Sequence, residues 1–194
     1  MGMIVSHRSA LPQDSRNPER IVMRPSVRAA VPLAAAGAAL VTLAAPALSH
    51  AGLDKIEVDG PTYVYDQAFK DVKTKITVIR DEGTTSVLLR ATGFPAEAAG
   101  KVFGVHVHVN PCGPKGEDAG PHYMNPDGSH DLPMEQMEIW LDVTVAKDGT
   151  GHSGDIVPWR VAEKAAGSVI IHALPTDPAT GGAGARNLCT TVPF

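Results

Sequence analysis

Two histidines stand two residues apart in residues 104–109, which read Gly-Val-His-Val-His-Val. In an extended strand, alternate residues project from the same face, so His106 and His108 would point together, about 6.5 to 7 Å apart at Cα. Val105 and Val107 would take the opposite, core-facing side. Two imidazoles on one face can bind a metal ion from adjacent positions. An isolated pair of this kind is equally typical of a polar surface that faces solvent.

Two further histidines favour the metal interpretation. His122 follows the dipeptide Gly120-Pro121, whose rigid turn would fix the position of the ring. His172 ends the apolar run 168–171, where an unpaired polar ring would be expensive to bury. Neutral imidazoles suit copper or zinc, and copper tolerates square-planar or tetragonal nitrogen geometry. The sequence therefore predicts a redox-metal site with four ligands, His106, His108, His122 and His172.

The elements that must position these rings read as short β-strands. Residues 75–80 and 85–92 are rich in Val, Ile, Leu and Thr, and the turn signal Asp-Glu-Gly at 81–83 predicts a hairpin between them. Apolar residues alternate strictly in 139–145, and 168–173 form another apolar run. With 19 Gly and 16 Pro arguing against long helices, we predict an all-β, immunoglobulin-like domain. It would be a Greek-key sandwich or flattened barrel of about eight antiparallel strands.

A long irregular segment, residues 110–138, interrupts this pattern. A compact domain rarely keeps a loop of this length without a purpose, so something must tie it down. The chain has two cysteines, Cys112 in this segment and Cys189 near the end. An even count in an exported chain predicts one disulfide. The metal would supply a second tether.

The N-terminal region resembles a secretory signal peptide. Arg24 and Arg28 precede the uncharged, Ala-rich stretch 29–49, which ends in small residues suited to cleavage after Ala47 or Ser49. We therefore predict a signal region at 1–49, with Met23 as an alternative start, and a domain at 50–194. The stretch is also long enough for a membrane anchor. Cleavage is favoured because the stretch is only weakly apolar, so no stable membrane span is expected. The predicted location is secreted or extracytoplasmic, in a periplasm or cell envelope.

Charge excludes one class of partner. Cleavage after Ser49 would remove five arginines and two carboxylates, which takes the formal charge from −4 to −7. A nucleic-acid-binding domain needs a basic face. Nucleic acid is therefore not expected as a partner.

Five motifs together resemble the copper-zinc superoxide dismutase family, in the order that this family has them. The resemblance runs from about residue 75 to residue 192, and the last motif is the most specific. The motifs are GVHVH (104–108), AGPHYMNP (119–126), AKDG (146–149), SVIIHA (168–173) and GGAGARNLC (181–189).

The resemblance implies an eight-stranded Greek-key β-barrel and a role for each matching residue. The four histidines correspond to the copper ligands, with His122 as the ring that bridges copper to zinc where zinc is present. Cys112 and Cys189 correspond to the family disulfide. Arg186 corresponds to the arginine that attracts and orients superoxide, and is the expected catalytic residue. The implied activity is that of an antioxidant oxidoreductase that converts superoxide to dioxygen and hydrogen peroxide.

The zinc subsite departs from the family pattern. His130 fits one zinc ligand, but no second histidine follows in 131–145, and Ile139 stands where the zinc aspartate belongs. These losses and a shortened segment 172–186 resemble the copper-only branch of the family, so copper is expected and zinc is not. In that branch a glutamate can orient the bridging histidine in place of zinc. Glu138 is the best candidate for this role, and Glu135 is the next.

Three other classes of function compete with the dismutase. An exported protein that binds or buffers copper without turnover would need the same histidines, although it has no evident need for Arg186. A mononuclear zinc hydro-lyase of the carbonic anhydrase type would use a similar pair of strand histidines, but the fourth histidine and the two cysteines argue against it. A purely structural sandwich would leave the ordered set of His, Cys and Arg without a reason. Monomer and homodimer both remain open, and superoxide is the expected small-molecule substrate.

Overall fold

The computed structural model describes residues 53–129 and 131–194. The predicted signal region 1–49, with its alternative start at Met23, lies outside the described residues, and so does His130. The described part contains ten β-strands, three short 3-10 turns and the four-residue helix α1 (Met134–Met137). No helix in this part is long and apolar enough to cross a membrane.

Antiparallel pairing accounts for every strand, which confirms the all-β prediction. In chain order the strands are β1 (Asp54–Gly60), β2 (Tyr63–Val64), β3 (Lys73–Arg80), β4 (Thr85–Thr92), β5 (Val102–Phe103), β6 (Val105–His108), β7 (Val143–Thr144), β8 (Gly151–Val157), β9 (Ser168–His172) and β10 (Arg186–Thr191).

The first sheet has the strand order β1-β3-β4-β8. Strands β3 and β4 form the predicted hairpin, and the carboxylate of Asp81 accepts hydrogen bonds from the backbone N–H groups of Gly83 (2.9 Å) and Thr84 (2.7 Å). An aspartate that bonds the backbone two and three residues on is a common turn former. The turn therefore forms at the Asp-Glu-Gly segment 81–83, as the sequence predicted.

The second sheet has the order β2-β10-β9-β6, and β5 and β7 form a small third sheet. Within the described residues the three sheets do not join into a closed barrel, and β5 and β7 pair over only two residues each. The strands therefore fit an all-β sandwich with ten strands where about eight were expected, and no closed barrel forms. The Greek-key connection pattern stays a prediction.

The main core lies on the inward faces of these sheets. Ile76, Val87, Val105 and Ile171 are among its fully buried members. Residues 139–145 contribute every second side chain to this core, as the alternation predicted, but only β7 is hydrogen-bonded as a strand within them. On the opposite face of 139–145, the Trp140 ring lies against the ring of His106, with ring centroids 6.0 Å apart.

The second sheet is also covered on its outer face. Strand β9 is buried at all five positions, and a second small core joins Ile170, Cys189 and Ala119. The covering element is the long loop after β6, which a disulfide between Cys112 and Cys189 ties to β10 across a sequence separation of 77. This confirms the predicted pairing of the two cysteines. The loop and the outer face of the sheet enclose the histidine cluster.

Candidate metal centre

Three of the four predicted histidines project from the outer face of the second sheet. The register pairs His106 of β6 with Ile170 of β9, and His108 with Ser168. Residues paired across a sheet point to the same face, and so do alternate residues along a strand. His106, His108 and His172 therefore share the face that carries Ile170. Sheet geometry alone brings these three rings together.

The fourth histidine comes from the covering loop. His122 forms an isolated antiparallel bridge with His108, and neighbouring backbone bonds run from Val109 N–H to the Pro121 carbonyl (3.2 Å) and from Tyr123 N–H to the Val107 carbonyl (2.8 Å). This stretch of loop therefore runs beside β6 like an added strand. Its pairing places the His122 ring opposite the three rings from the sheet.

The four rings converge on one point. Each histidine offers one ring nitrogen, and these four atoms all lie within 4.8 Å of one another. His106 Nδ1 lies 3.0 Å from His122 Nε2, and His108 Nε2 lies 3.3 Å from His172 Nε2. His106 and His108 are fully buried, His172 is 3% exposed, and the His122 side chain is 17% exposed. The predicted ligand set thus forms one nearly enclosed cluster.

Contacts on the outer side of each ring determine which nitrogen faces inward. His108 Nδ1 lies 3.0 Å from the Gly120 carbonyl, and His172 Nδ1 lies 3.2 Å from the Gly184 carbonyl. A carbonyl oxygen only accepts hydrogen bonds, so each Nδ1 carries the proton and each Nε2 presents a lone pair. Such outer partners fix tautomer and ring orientation at metal sites.

Burial keeps these rings neutral. It lowers the pKa of His106 to about 2, that of His108 to about 3 and that of His172 to about 4, and the neighbouring histidines add to the lowering. At neutral pH these three imidazoles are therefore uncharged, and their inward nitrogens repel one another through their lone pairs. A cation at the centre would remove that repulsion. The donor set, four imidazole nitrogens, fits copper or zinc.

Glu138 holds the ring of His122. Its Oε2 accepts hydrogen bonds from His122 Nδ1 (2.8 Å) and from Trp140 Nε1 (2.7 Å), and the carboxylate is 3% exposed. The backbone of Gly181 (φ +72°) packs against this carboxylate, where a Cβ would come within 2.9 Å of Oε2. Glu135, the other glutamate considered from the sequence, is exposed on α1. The predicted contact between Glu138 and His122 is therefore present.

The E138Q variant is expected to bind copper about tenfold more weakly, since loss of an outer partner of a ligand histidine costs about 10- to 100-fold in metal affinity. Glutamine keeps an oxygen that can accept from both donors and removes the negative charge beside the His122 ring. Copper affinity is measured by competition with a chelator. E135Q is the matched control, and equal affinities in the two variants would contradict this role of Glu138.

Arg186 begins β10 at the edge of the cluster. Its guanidinium donates to the carbonyls of Gly116 (2.5 Å) and Gly120 (2.6 Å), and the Gly120 carbonyl is also the acceptor for the His108 ring. Burial lowers the pKa of Arg186, but an arginine remains charged at neutral pH. An open cleft exposes it beside Tyr65 and Glu117. Arg186 thus places a positive charge one carbonyl away from a metal-facing ring.

Three residues of the site were not predicted from the sequence. Trp140 anchors Glu138, Thr176 contacts the His106 ring, and Asp142 contacts Thr176. Trp140 and Asp142 lie on the outward face of the alternating segment 139–145, which is the only sequence signal that could have marked them. Nothing in the sequence around Thr176 distinguishes it from other loop threonines.

Comparison with known proteins does not assign this arrangement to a family. No protein-family model matches the chain, and no curated protein matches it. The fold and the site define an all-β protein with a disulfide and a buried cluster of four histidines that could hold a metal ion.

Proposed function

We propose that this protein is an exported superoxide dismutase that binds one copper ion through His106, His108, His122 and His172. The observation that carries the proposal is the convergence of four histidine ring nitrogens beside the guanidinium of Arg186. The motifs that resemble the copper-zinc superoxide dismutase family support it, and so does the contact between Glu138 and His122, which the copper-only pattern leads one to expect.

The reaction consumes two superoxide anions and two protons. One superoxide is oxidised to dioxygen, and the other is reduced and takes up both protons to become hydrogen peroxide. Copper, when bound, supplies the one-electron redox couple that links these two halves. A nitrogen-only site is compatible with both oxidation states of copper. The residues of the chain must meet the other requirements of the reaction.

Arg186 performs the electrostatic part of the task. The mature chain is negatively charged overall, so it repels a small anion at long range, but charges beyond about 8 Å are largely screened at physiological salt. Close to the site, a fixed positive charge in a cleft raises the local concentration of an anion. Hydrogen bonds to the backbone carbonyls of Gly116 and Gly120 hold the guanidinium in a fixed position.

The disulfide supports the extracytoplasmic part of the proposal. Disulfides persist in oxidising compartments and are rare in a reducing cytosol. The Cys112–Cys189 bond joins β10, which begins with Arg186, to the loop that carries His122. An oxidising location would therefore keep this bond intact and, with it, the relative positions of His122 and Arg186.

One observation favours a second candidate, a copper-binding protein with little turnover. The four histidines are almost completely buried, and His122 is the most exposed of them, with 17% of its side chain accessible. A carrier or buffer needs such enclosure, whereas a dismutase needs an open side for its substrate. The two candidates differ in what Arg186 contributes.

The R186A variant is expected to lower kcat/KM for superoxide by about 10- to 100-fold while its copper content stays at about one ion per chain. The loss arises because the local anion concentration falls when the positive charge is removed. Copper-loaded protein is assayed for superoxide consumption against an equal amount of copper held by a chelator. R186K, which keeps a positive charge, is expected to recover part of the rate.

R90A is the matched control for this experiment. Arg90 is exposed on β4, in the other sheet, so R90A makes the same change in net charge away from the histidines. Equal rates in R186A and R90A would contradict the role of Arg186. Copper-loaded wild-type protein that consumes superoxide no faster than chelated copper would overturn the dismutase and leave the copper-binding protein.

A further inference from the structure

Thr176 links the metal centre to the loop between β9 and β10. This loop spans residues 173–185 and ends at Arg186. The hydroxyl of Thr176 lies 2.7 Å from His106 Nε2, on the side of the ring that faces away from the other histidines. Of the four ligand rings, His106 is the one whose outer partner is a hydroxyl, a group that can either donate or accept.

The direction of the Thr176 hydrogen bond follows from Asp142. The Asp142 carboxylate receives the Thr176 hydroxyl (2.5 Å), the Thr176 backbone N–H (3.0 Å) and the Val105 backbone N–H (3.3 Å). An ionised carboxylate only accepts. Because Thr176 gives its single hydroxyl proton to Asp142, its oxygen is left to accept from His106. The proton of His106 therefore sits on Nε2, and the lone pair of Nδ1 points inward.

This arrangement makes His106 different from the other three ligands. The inward atom of His106 is Nδ1, 3.0 Å from His122 Nε2, whereas His108 and His172 present Nε2. In the opposite tautomer, Nδ1 of His106 would carry its proton into the space where the ligand nitrogens meet. A metal ion could then not bind to it without loss of that proton.

We propose that Thr176, oriented by Asp142, is a positioning residue that holds His106 in its metal-binding tautomer and couples the loop 173–185 to that ligand. The inference rests on the copper site of the proposed function and concerns a residue that the sequence motifs do not mark. If the loop moved away from the sheet, the His106 ring would lose the acceptor that fixes its proton.

Gly104 makes the close approach of this loop feasible. A Cβ at position 104 would come within 2.8 Å of the Thr176 hydroxyl and within 2.5 Å of Ala183 Cβ. The absence of a side chain at Gly104 therefore lets the loop lie directly against the strand that carries His106. The Gly104 N–H also donates to the Leu174 carbonyl (2.7 Å).

Two variants of Thr176 distinguish a role of its hydroxyl from a role in packing alone. The backbone N–H of Thr176 still bonds Asp142 when the side chain is replaced by the equally shaped valine, so T176V keeps the loop fastened and removes only the hydroxyl. T176S keeps the hydroxyl and removes a methyl group. The two variants thus separate the hydrogen bond from the packing.

The first measurement uses metal-free full-length protein. Imidazole ¹⁵N chemical shifts distinguish an Nε2-protonated ring from an Nδ1-protonated one. His106 is expected to be Nε2-protonated in the wild type and in T176S, and to become a mixture of tautomers in T176V. A wild-type His106 protonated on Nδ1, or an unchanged tautomer in T176V, would overturn the proposal. This readout does not depend on the identity of the metal.

The second measurement loads the same proteins with Cu(II). T176V is expected to bind copper about 10- to 100-fold more weakly than the wild type and to give an altered electron paramagnetic resonance spectrum, and T176S is expected to resemble the wild type. T180V, an exposed threonine of the same loop, is the matched control. Equal weakening in T176S and T176V would overturn the role of the hydroxyl. Failure of the wild type to bind copper would instead count against the proposed function.

Discussion

Metal-free protein is expected to lose stability steeply as the pH falls from about 6.5 to about 4. In the unfolded chain a histidine takes up its proton near pH 6.5, whereas burial lowers the pKa of folded His106, His108 and His172 to about 2, 3 and 4. Between these limits the unfolded chain binds more protons than the folded protein. The free energy of unfolding therefore falls as the pH falls through this window.

The expected size of this effect is large compared with the stability of a domain. Each imidazole contributes about 1.4 kcal/mol for every pH unit below 6.5, so three together contribute about 4 kcal/mol per unit. Over the whole window this approaches about 10 kcal/mol, within the total stability of about 5 to 15 kcal/mol that is usual for a domain. We expect the metal-free cluster to open or the domain to unfold before pH 4.

Urea unfolding at a series of pH values measures this dependence. H172Q removes one buried imidazole and is expected to reduce the slope by about 1.4 kcal/mol per pH unit. H152Q, which changes an exposed histidine on β8, is the matched control and is expected to leave the slope unchanged. A metal-free wild type with the same stability at pH 6.5 and pH 4.5 would contradict the burial of neutral rings.

Bound copper is expected to shift this acid transition to lower pH. Copper and protons compete for the same inward nitrogens, so ligand binding to the folded state adds stability that protons must overcome. The difference in the free energy of unfolding between copper-loaded and metal-free protein at one pH therefore reports on the ligand rings, because the other titrating groups are the same in both samples.

Local patterns were sufficient to predict the strands that contribute most to the core. Apolar and β-branched runs identified β3, β4 and β9 within a few residues, and the Asp-Glu-Gly turn identified the hairpin. Strand β8 was not predicted, because its glycines and polar residues resemble a turn. It forms a strand because it pairs with β4 over seven residues, from Thr85 opposite Val157 to Ala91 opposite Gly151. That stabilisation comes from a partner distant in sequence, which a local pattern does not contain.

The metal ligands were predictable for a different reason. Histidine is rare in an apolar strand, so the spacing of His106 and His108 and the apolar setting of His172 each mark a ring that needs a partner. Glu138 could be named because the glutamate-for-zinc replacement is part of the copper-only pattern. Its actual contacts with His122 and Trp140 depend on how the loop folds over the sheet.

The tautomer of each ring depends on atoms that no sequence pattern marks. Two rings are fixed by backbone carbonyls, at Gly120 and Gly184, and every residue type has a backbone carbonyl. His106 is fixed by Thr176, a common residue type in a loop. Only the tertiary packing of both loops against one sheet face reveals which nitrogen each histidine offers to a metal.

Loss of the disulfide in a C112A/C189A variant is expected to lower the free energy of unfolding of the metal-free protein by about 3 to 4.5 kcal/mol. The bond closes a loop with a sequence separation of 77. Cross-linking over this length removes conformational entropy from the unfolded chain worth up to ~4.5 kcal/mol. The packing of Ile170 and Ala119 around Cys189 would also weaken.

Urea unfolding with a metal chelator present measures this loss, with chemically reduced wild-type protein as the comparison. Reduction breaks the same bond but retains both sulfur atoms, so a similar loss in the two samples assigns the effect to the cross-link and not to the lost side-chain volume. The loop freed by the variant carries His122 and the Gly120 carbonyl that orients His108, so copper affinity is expected to fall as well. A variant that loses less than about 1 kcal/mol would contradict the role of the disulfide, since removal of a native disulfide from a small domain typically costs 2 to 5 kcal/mol.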